Sequence, residues 1–447
     1  MRVAEKISWR WVIFFLCFLM FAFSGLKNAN EQADRQYRNL DKSDWRAANF
    51  WIKSAECAKE TGVWLAICSE NKFFPVAQFA FADDPGQAFL LGLVARLKNR
   101  SISVLDVVRL NVVVNFASLL AIAALLFAVR LEVASLVILM LSSVPYFSWV
   151  GASPHPGLIG VATMAAILPM AILFGEFGHV SRVKYILFLV VGTILLGLAA
   201  MLREPIGTME FFISLGALVC VGLNQIGKTS SLRHKAWLLV LLVVVCLSWQ
   251  MPRWVLMARD ALFPIQPASL IQTHGISHNL YIGLGAGGEN KFGINWDDSV
   301  GDAVVKSADP NVKYVSPEYF NILWREYLSR IAEDPLEVVR IYTVKLGKIL
   351  TYRLPEWAPP LWLMIIGGCA LLVAGYRHHS RWDVVGFSAT SIVLVTSLAF
   401  IGMFITQGVL AHPDKQYAHP IGGFVLILFA VGFEILVLLR LQENRKP

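Results

Sequence analysis

Two adjacent carboxylates, Asp83 and Asp84, stand in the segment Phe79-Ala80-Phe81-Ala82-Asp83-Asp84-Pro85-Gly86-Gln87-Ala88-Phe89. A carboxylate held in apolar, aromatic surroundings is suited to take a proton from a hydroxyl nucleophile. Asp before Pro-Gly is also a common helix cap and turn. Four further groups carry chemical potential: Arg203-Glu204 before Pro205; His155 in Ser-Pro-His-Pro-Gly; His274 and His278 with Asp297 and Asp298; and Lys415 and Tyr417 among His412, Asp414 and His419. Arg203 and Glu204, at the end of an apolar run, read as an anion site or as a structural Arg-Glu clasp. His155 reads as a ligand contact or a solvated turn residue. Asp297-Asp298 reads as a solvated pair, a cation-binding turn or an acceptor contact.

These groups are positioned by a membrane scaffold. The chain has 447 residues, 56% of them hydrophobic and 16% charged, and a mean hydropathy of +0.59. That composition, with repeated apolar runs of about 20 residues, predicts an all-α polytopic membrane protein. Windows of that length give about ten transmembrane helices, at 11–26, 105–129, 131–150, 157–175, 184–202, 207–224, 236–257, 358–376, 384–406 and 420–440. The expected organisation is a first helix (1–26), a first external loop (27–104), helices two to seven (105–257), a large external loop (258–357), and helices eight to ten with a tail (358–447). The net charge of +8 is spread between spans and forms no single tract, so it reads as a topology signal and an affinity for anionic lipid, not as a nucleic-acid surface. Arg2/Lys6/Arg10, Arg130, Arg182/Lys184, Lys228/Arg233/Lys235, Arg377/Arg381 and Arg440/Arg444/Lys446 mark one side as cytoplasmic, both termini included. Every candidate group above falls on the opposite, periplasmic side of a bacterial inner membrane. Few ionisable residues are visible inside spans, and Glu434 lies close enough to an end to snorkel.

The first external interval carries Trp45, Phe50, Trp51 and Trp64, which predict either an amphipathic helix on the leaflet or a small helical unit packed on the spans. Cys57 and Cys68 lie there too, as a local disulfide or as two thiols. Ala88–Leu97, followed by basic residues, reads as a surface helix. In the second interval, 274–298 is rich in glycine without helical period and reads as an ordered loop of turns and short strands. Gly283, Gly285, Gly287 and Gly288 offer turns or amides for an anion. Ser316-Pro317-Glu318 starts a helix that stops at Asp334-Pro335. The next, 336–352, reads as interfacial, with Arg340, Lys345 and Lys348 at phosphate depth.

A long first external loop with an acidic motif near its end, many spans, and external elements towards the C-terminus resemble the GT-C superfamily of integral-membrane glycosyltransferases. The motif is Asp83-Asp84, in a paired form most similar to the arabinosyltransferase and protein-mannosyltransferase-like branches. The resemblance implies inverting transfer from a polyprenyl-phosphate-linked sugar to a periplasmic glycan, lipid or protein acceptor. It makes Asp83 or Asp84 the general base. Arg203, with Glu204, His155, Lys415 and Tyr417, would contact the donor phosphate or sugar. The superfamily's Arg-Tyr is here Lys415-x-Tyr417. His274, His278, Asp297 and Asp298 are acceptor or loop candidates. No cofactor or metal site is assigned: His412, Asp414 and His419 lack familiar ligand spacing, and a divalent cation is left open. Two other functions fit the same chain: a polysaccharide polymerase or ligase using His274, His278, Arg325 and Arg330, and a flippase or transporter of a lipid-linked sugar.

Overall fold

A computed structural model describes residues 9–39, 46–69, 72–75, 85–142, 158–177, 180–226, 232–263, 265, 275–354, 358–378, 385–413 and 415–443. In chain order these form α1 (Trp9–Asn39), α2 (Arg46–Thr61), β1 (Ala66–Ser69), β2 (Lys72–Pro75), α3 (Pro85–Lys98), α4 (Val104–Ala128), α5 (Glu132–Ser142), α6 (Leu158–Ala165), α7 (Ile167–Glu176), α8 (Arg182–Leu202) and α9 (Glu204–Ile226). Then follow α10 (Leu232–Trp249), α11 (Met251–Leu262), α12 (Ile276–Gly283), α13 (Asp298–Ala308), α14 (Pro317–Glu333), α15 (Pro335–Thr351), α16 (Leu361–His378), α17 (Val385–Leu410) and α18 (Lys415–Glu443). The protein is an almost wholly helical, polytopic membrane protein. Among the described residues its departure from all-α is one antiparallel ribbon, β1 with β2, which pairs Ala66 with Pro75 and Ser69 with Lys72.

Six described helices are long and apolar enough to cross a membrane: stretches of α1, α4, α8, α9, α17 and α18. A seventh span arises if α10 and α11 count together, bent by 58°. Pro252, in the first turn of α11, has no amide to continue the helix and fits this bend. The apolar stretches in α5, in α6 with α7, and in α16 are shorter. Pro169 fits the break between α6 and α7, since it cannot donate to the carbonyl four residues earlier, at Ala165. The main core gathers α4 to α9 with α16, α17 and α18, and includes stacked Phe400 and Phe424.

Two smaller units sit on this bundle. In the first, α2 and the ribbon pack on α3, with Trp51 and Leu91 fully buried. Of the two readings of α2, the packed helical unit is the one observed. A Cys57–Cys68 disulfide closes it. Helix α3 is likewise packed, through Gly86, Gln87, Ala88, Leu91, Gly92 and Ala95. Its basic end turns to protein: Arg96 lies over the Trp64 ring, and Arg100 forms two hydrogen bonds with Asp106 at the start of α4.

The second unit is α12 to α15, with a core of its own that includes Tyr281, Leu323, Tyr319 and Ile341. Its caps follow the sequence. Ser316 accepts from the Tyr319 amide ahead of Pro317, and Asp334 accepts from the Glu337 amide ahead of Pro335. The 274–298 segment departs from expectation, because its start is helical (α12) and its described part has no strand. Eight residues, six of them buried, show no amphipathic period from which a helix could be read.

Candidate functional site

The site is a junction of helix ends built around the first turn of α3. Gly86 packs so closely on the end of α8 that an added Cβ would lie 2.8 Å from the Leu202 amide nitrogen and 2.8 Å from the Met201 carbonyl carbon. Only glycine allows this approach, because both neighbours are backbone. One residue on, Gln87 is fully buried and donates to Asn111 Oδ1 at 2.8 Å. One turn along α4, Asn115 Oδ1 accepts from the Gly160 amide at 2.6 Å, and a Cβ on Gly160 would lie 2.5 Å from the Asn115 Cα. Thus α3 and α6 are tied to one strip of α4, and the α8 end packs on both α3 and α6.

This junction borders three sequence candidates. Asp84 immediately precedes Pro85, Arg203 immediately follows Leu202, and His155 lies five residues before Gly160. Asp83, Asp84, His155, His274 and Asp414 themselves lie outside the described residues. Arg203 is half-buried in extended backbone; its carbonyl accepts from the Ile206 amide at 2.9 Å and so begins α9. Glu204 is exposed in the first turn of α9, so the pair at the end of this apolar run is not enclosed. The three amides escaped sequence reading, since lone Gln and Asn residues in apolar helices have no spacing signature. Among the described residues, Gln87 Oε1 and Asn115 Nδ2 are buried without a hydrogen-bond partner.

The remaining candidates lie in or against the α12–α15 unit. His278 is fully buried, with Nδ1 2.9 Å from the Tyr319 hydroxyl and Nε2 3.0 Å from Asp298 Oδ1. Burial, then the charges of Asp298 and Asp302, push the Tyr314 hydroxyl up to about 12. Asp297 caps α13 by accepting from the Ser299 amide at 2.8 Å, which assigns it a structural duty. The glycines present carbonyls, not an anion nest: Lys345 donates to the Gly283 carbonyl at 2.9 Å and Lys348 to the Gly287 carbonyl at 3.0 Å.

Lys345 corrects the interfacial reading of α15. It is fully buried and also donates to the Ala411 carbonyl at 2.7 Å, clasping the end of α17 to α12. Burial pulls its ammonium down to about 7, while the carbonyl acceptors act in the opposite direction. Arg340 pairs with Glu337 at 2.7 Å. Of the three cations assigned to phosphate depth, each is therefore engaged by protein.

The segment after α17 is held to the same unit. The His412 ring lies 4.6 Å from Trp296, and the Tyr352 hydroxyl donates to the Pro413 carbonyl. Lys415 and Tyr417 fall within α18, which begins earlier than the span expected at 420–440; their side chains lie outside the described residues. No group of three potential metal-ligating side chains occurs among the described residues. Compared with models of known families, with curated proteins and with solved structures, the chain matches none.

Proposed function

We propose that this protein is an inverting glycosyltransferase that moves a sugar from a polyprenyl-phosphate donor to a periplasmic glycan, lipid or protein, as its resemblance to the GT-C superfamily implies. The observation that supports the reading is the junction at α3. Gly86, two residues after Asp84 in the sequence, packs on the α8 backbone that continues into Arg203, and α3 is also bonded to the α4 strip that holds the start of α6. A base and an anion-binding cation are the two groups that the chemistry needs.

In the proposed reaction the acceptor hydroxyl gives its proton to the Asp83 or Asp84 carboxylate as its oxygen bonds to the anomeric carbon. The bond from that carbon to the phosphate oxygen breaks on the opposite face, and its electron pair leaves with the polyprenyl phosphate. Arg203 stabilises the departing phosphate by charge-assisted hydrogen bonds. Configuration at the anomeric carbon inverts.

The topology belongs to the same proposal. The six long helices, the bent pair and the three shorter apolar stretches make ten crossings, with both termini cytoplasmic by the positive-inside pattern. The junction and the α12–α15 unit then face the periplasm of a bacterial inner membrane.

The test is transfer of labelled sugar from polyprenyl phosphate by purified wild type and by Asp83→Asn, Asp84→Asn and Arg203→Ala, with detergent stability followed in parallel. Loss of transfer of at least about a hundredfold in one stable Asp variant is expected of a general base. Full activity in both Asp variants would end the reading.

A second reading, a carrier of the lipid-linked sugar, draws support from Glu210, a fully buried acid in α9. Translocation without transfer in vesicles would favour it. The polymerase or ligase reading gains nothing from its candidates: His278 is enclosed by Tyr319 and Asp298, and Arg330 pairs with Glu333 at 2.7 Å.

A further inference from the structure

Among the described residues three acids are buried in the candidate spans: Asp106, at the start of α4, is paired with Arg100, and the other two differ in their surroundings. Glu434 of α18 is 5% exposed and accepts from the Ala134 amide at 2.9 Å, so it caps the first turn of α5 and does not snorkel. Glu210 of α9 is fully buried, and among the described residues neither of its carboxyl oxygens has a hydrogen-bond partner. It lies about 9 Å along the helix from Glu204, at 1.5 Å per residue, inside the candidate span Glu204–Asn224.

The helices packed on α9 are α6, α7, α8, α10 and α17. Their ionisable side chains are few. Helices α6 and α17 have none; α7 has Glu176; α8 has Arg182, Lys184 and Tyr185; α10 has Arg233, His234, Lys235 and Cys246. All but Cys246 sit at the end of the bundle that α9 reaches with Asn224, where Asn224 donates to Glu176 at 3.2 Å. On α9 itself the others are Glu204 in its first turn and Cys220.

No described cation is hydrogen-bonded to Glu210. An isolated carboxylate costs several kcal/mol to bury even after relaxation, whereas the neutral acid keeps only the smaller penalty of unmade hydrogen bonds. One turn on, Ser214 is also fully buried, and its Oγ has no partner among the described residues. At four residues' spacing it shares a face of α9 with Glu210.

We propose that Glu210 is an intramembrane proton-binding site, which keeps its proton in the arrangement described here and exchanges it when α9 shifts against its neighbours and admits water. A proton requires no cavity, which suits a carboxyl closed in on every side. The inference is independent of glycosyl transfer.

The first test treats the full-length protein in phospholipid vesicles with dicyclohexylcarbodiimide and maps the modified peptide. The reagent needs a protonated carboxyl: the proton passes to one carbodiimide nitrogen, the carboxyl oxygen bonds to the central carbon, and acyl migration to nitrogen gives a stable N-acylurea with every atom retained. Glu210 is expected to react at neutral pH and to be spared by a water-soluble carbodiimide. Its labelling should fall roughly tenfold per pH unit once the pH passes its pKa, following the protonated fraction. Protection by sodium ions at constant pH would overturn the proposal in favour of a metal-cation site.

The second test covers a reagent that cannot enter. Infrared spectra of wild type and Glu210→Gln, in water and deuterium oxide, should differ by one protonated carboxyl stretch at neutral pH. Absence of that band would overturn the proposal whatever the labelling shows. Neither result depends on the Asp83 and Asp84 variants, so the two proposals fail separately.

Discussion

The α12–α15 unit and the α3 junction are both held by polar groups, but they use them differently. In the former, three cations are met by acids or by several carbonyls: Lys291 with Asp334 at 2.8 Å, Arg340 with Glu337, Lys345 with three backbone oxygens; Asp302 Oδ1 and Arg330 Nε are the buried atoms of charged groups there that lack a partner among the described residues. At the junction the polar groups are neutral amides, and two of them, Gln87 and Asn115, each make one bond and leave another buried atom without a partner among the described residues. Buried polar atoms are normally satisfied, and exceptions mark strain or function. The contrast separates a unit built to stay together from a place where the fold leaves polar capacity beside its chemical candidates.

The comparison is broken most forcefully at Lys345. Lys345→Met keeps the length of the side chain but strands the Gly283, Leu410 and Ala411 carbonyls, and removing one partner from such a buried contact costs about 3 kcal/mol. A lowered melting temperature and faster proteolysis of 283–298 are expected, with α1 to α9 retained. The pH dependence sharpens the point. The ordinary lysine value is 10.5 and burial lowers it to about 7 in the fold, so between these limits the unfolded chain binds more protons. Wild-type stability should then rise with pH across that window, by at most about 1.4 kcal/mol per unit, and Lys345→Met should lose that slope. A difference between the two proteins that does not change from pH 7 to 10 would show that the carbonyls, not burial, set the proton affinity.

Lys345 also shows where sequence reading stops. The amphipathic pattern of 336–352 located the helix but not its polar side, since Lys345 stands on the buried side with Val338, Ile341 and Ile349. What covers that side comes from Gly283 and from Leu410-Ala411, more than 60 residues away in either direction, and no local pattern encodes it. The six long apolar helices were legible because hydropathy sums over a whole helix, and the starts of α14 and α15 because Ser-Pro-Glu and Asp-Pro are local signals. The same averaging hid Glu210, a single acid in an apolar window. At the candidate site the carriers of the chemistry were nominated from their types and positions, whereas Gln87, Asn111 and Asn115 became visible only through the contacts between helices.

Gly86→Ala probes the junction. The new methyl would stand 2.8 Å from backbone atoms of Met201 and Leu202, which cannot turn aside as a side chain would. The start of α3 must move away from the α8 end, at a cost of about 1–3 kcal/mol for overpacking. On the proposed function, transfer should fall further than stability, because the shift separates the segment after Asp84 from the one before Arg203. Alanine at Gly216, where an added Cβ meets nothing within 4 Å, is the control within α9. Equal transfer by the Gly86 and Gly216 variants would remove the junction's claim to be the site.

The smallest effect is expected at Glu337, and only in acid. Its carboxylate accepts from the Arg340 guanidinium and from the Lys291 amide at 3.1 Å; the Arg340 bond, then the Lys291 amide, lower it from 4.5 to about 2 against the opposing effect of burial. A carboxyl lowered in the fold contributes stability above its unfolded value and loses it as the pH falls through its folded one. Glu337→Gln should therefore melt more like wild type at pH 2 than at pH 6, with the gap closing between pH 4.5 and 2. Asp334, lowered by Lys291 and by the Glu337 amide, titrates in the same region and stays in both proteins, so the difference between the two melting curves isolates Glu337. If the gap holds constant down to pH 2, the Arg340–Glu337 pair contributes through packing of its side chains, and the charge matching that distinguishes the α12–α15 unit from the junction does not extend to the start of α15.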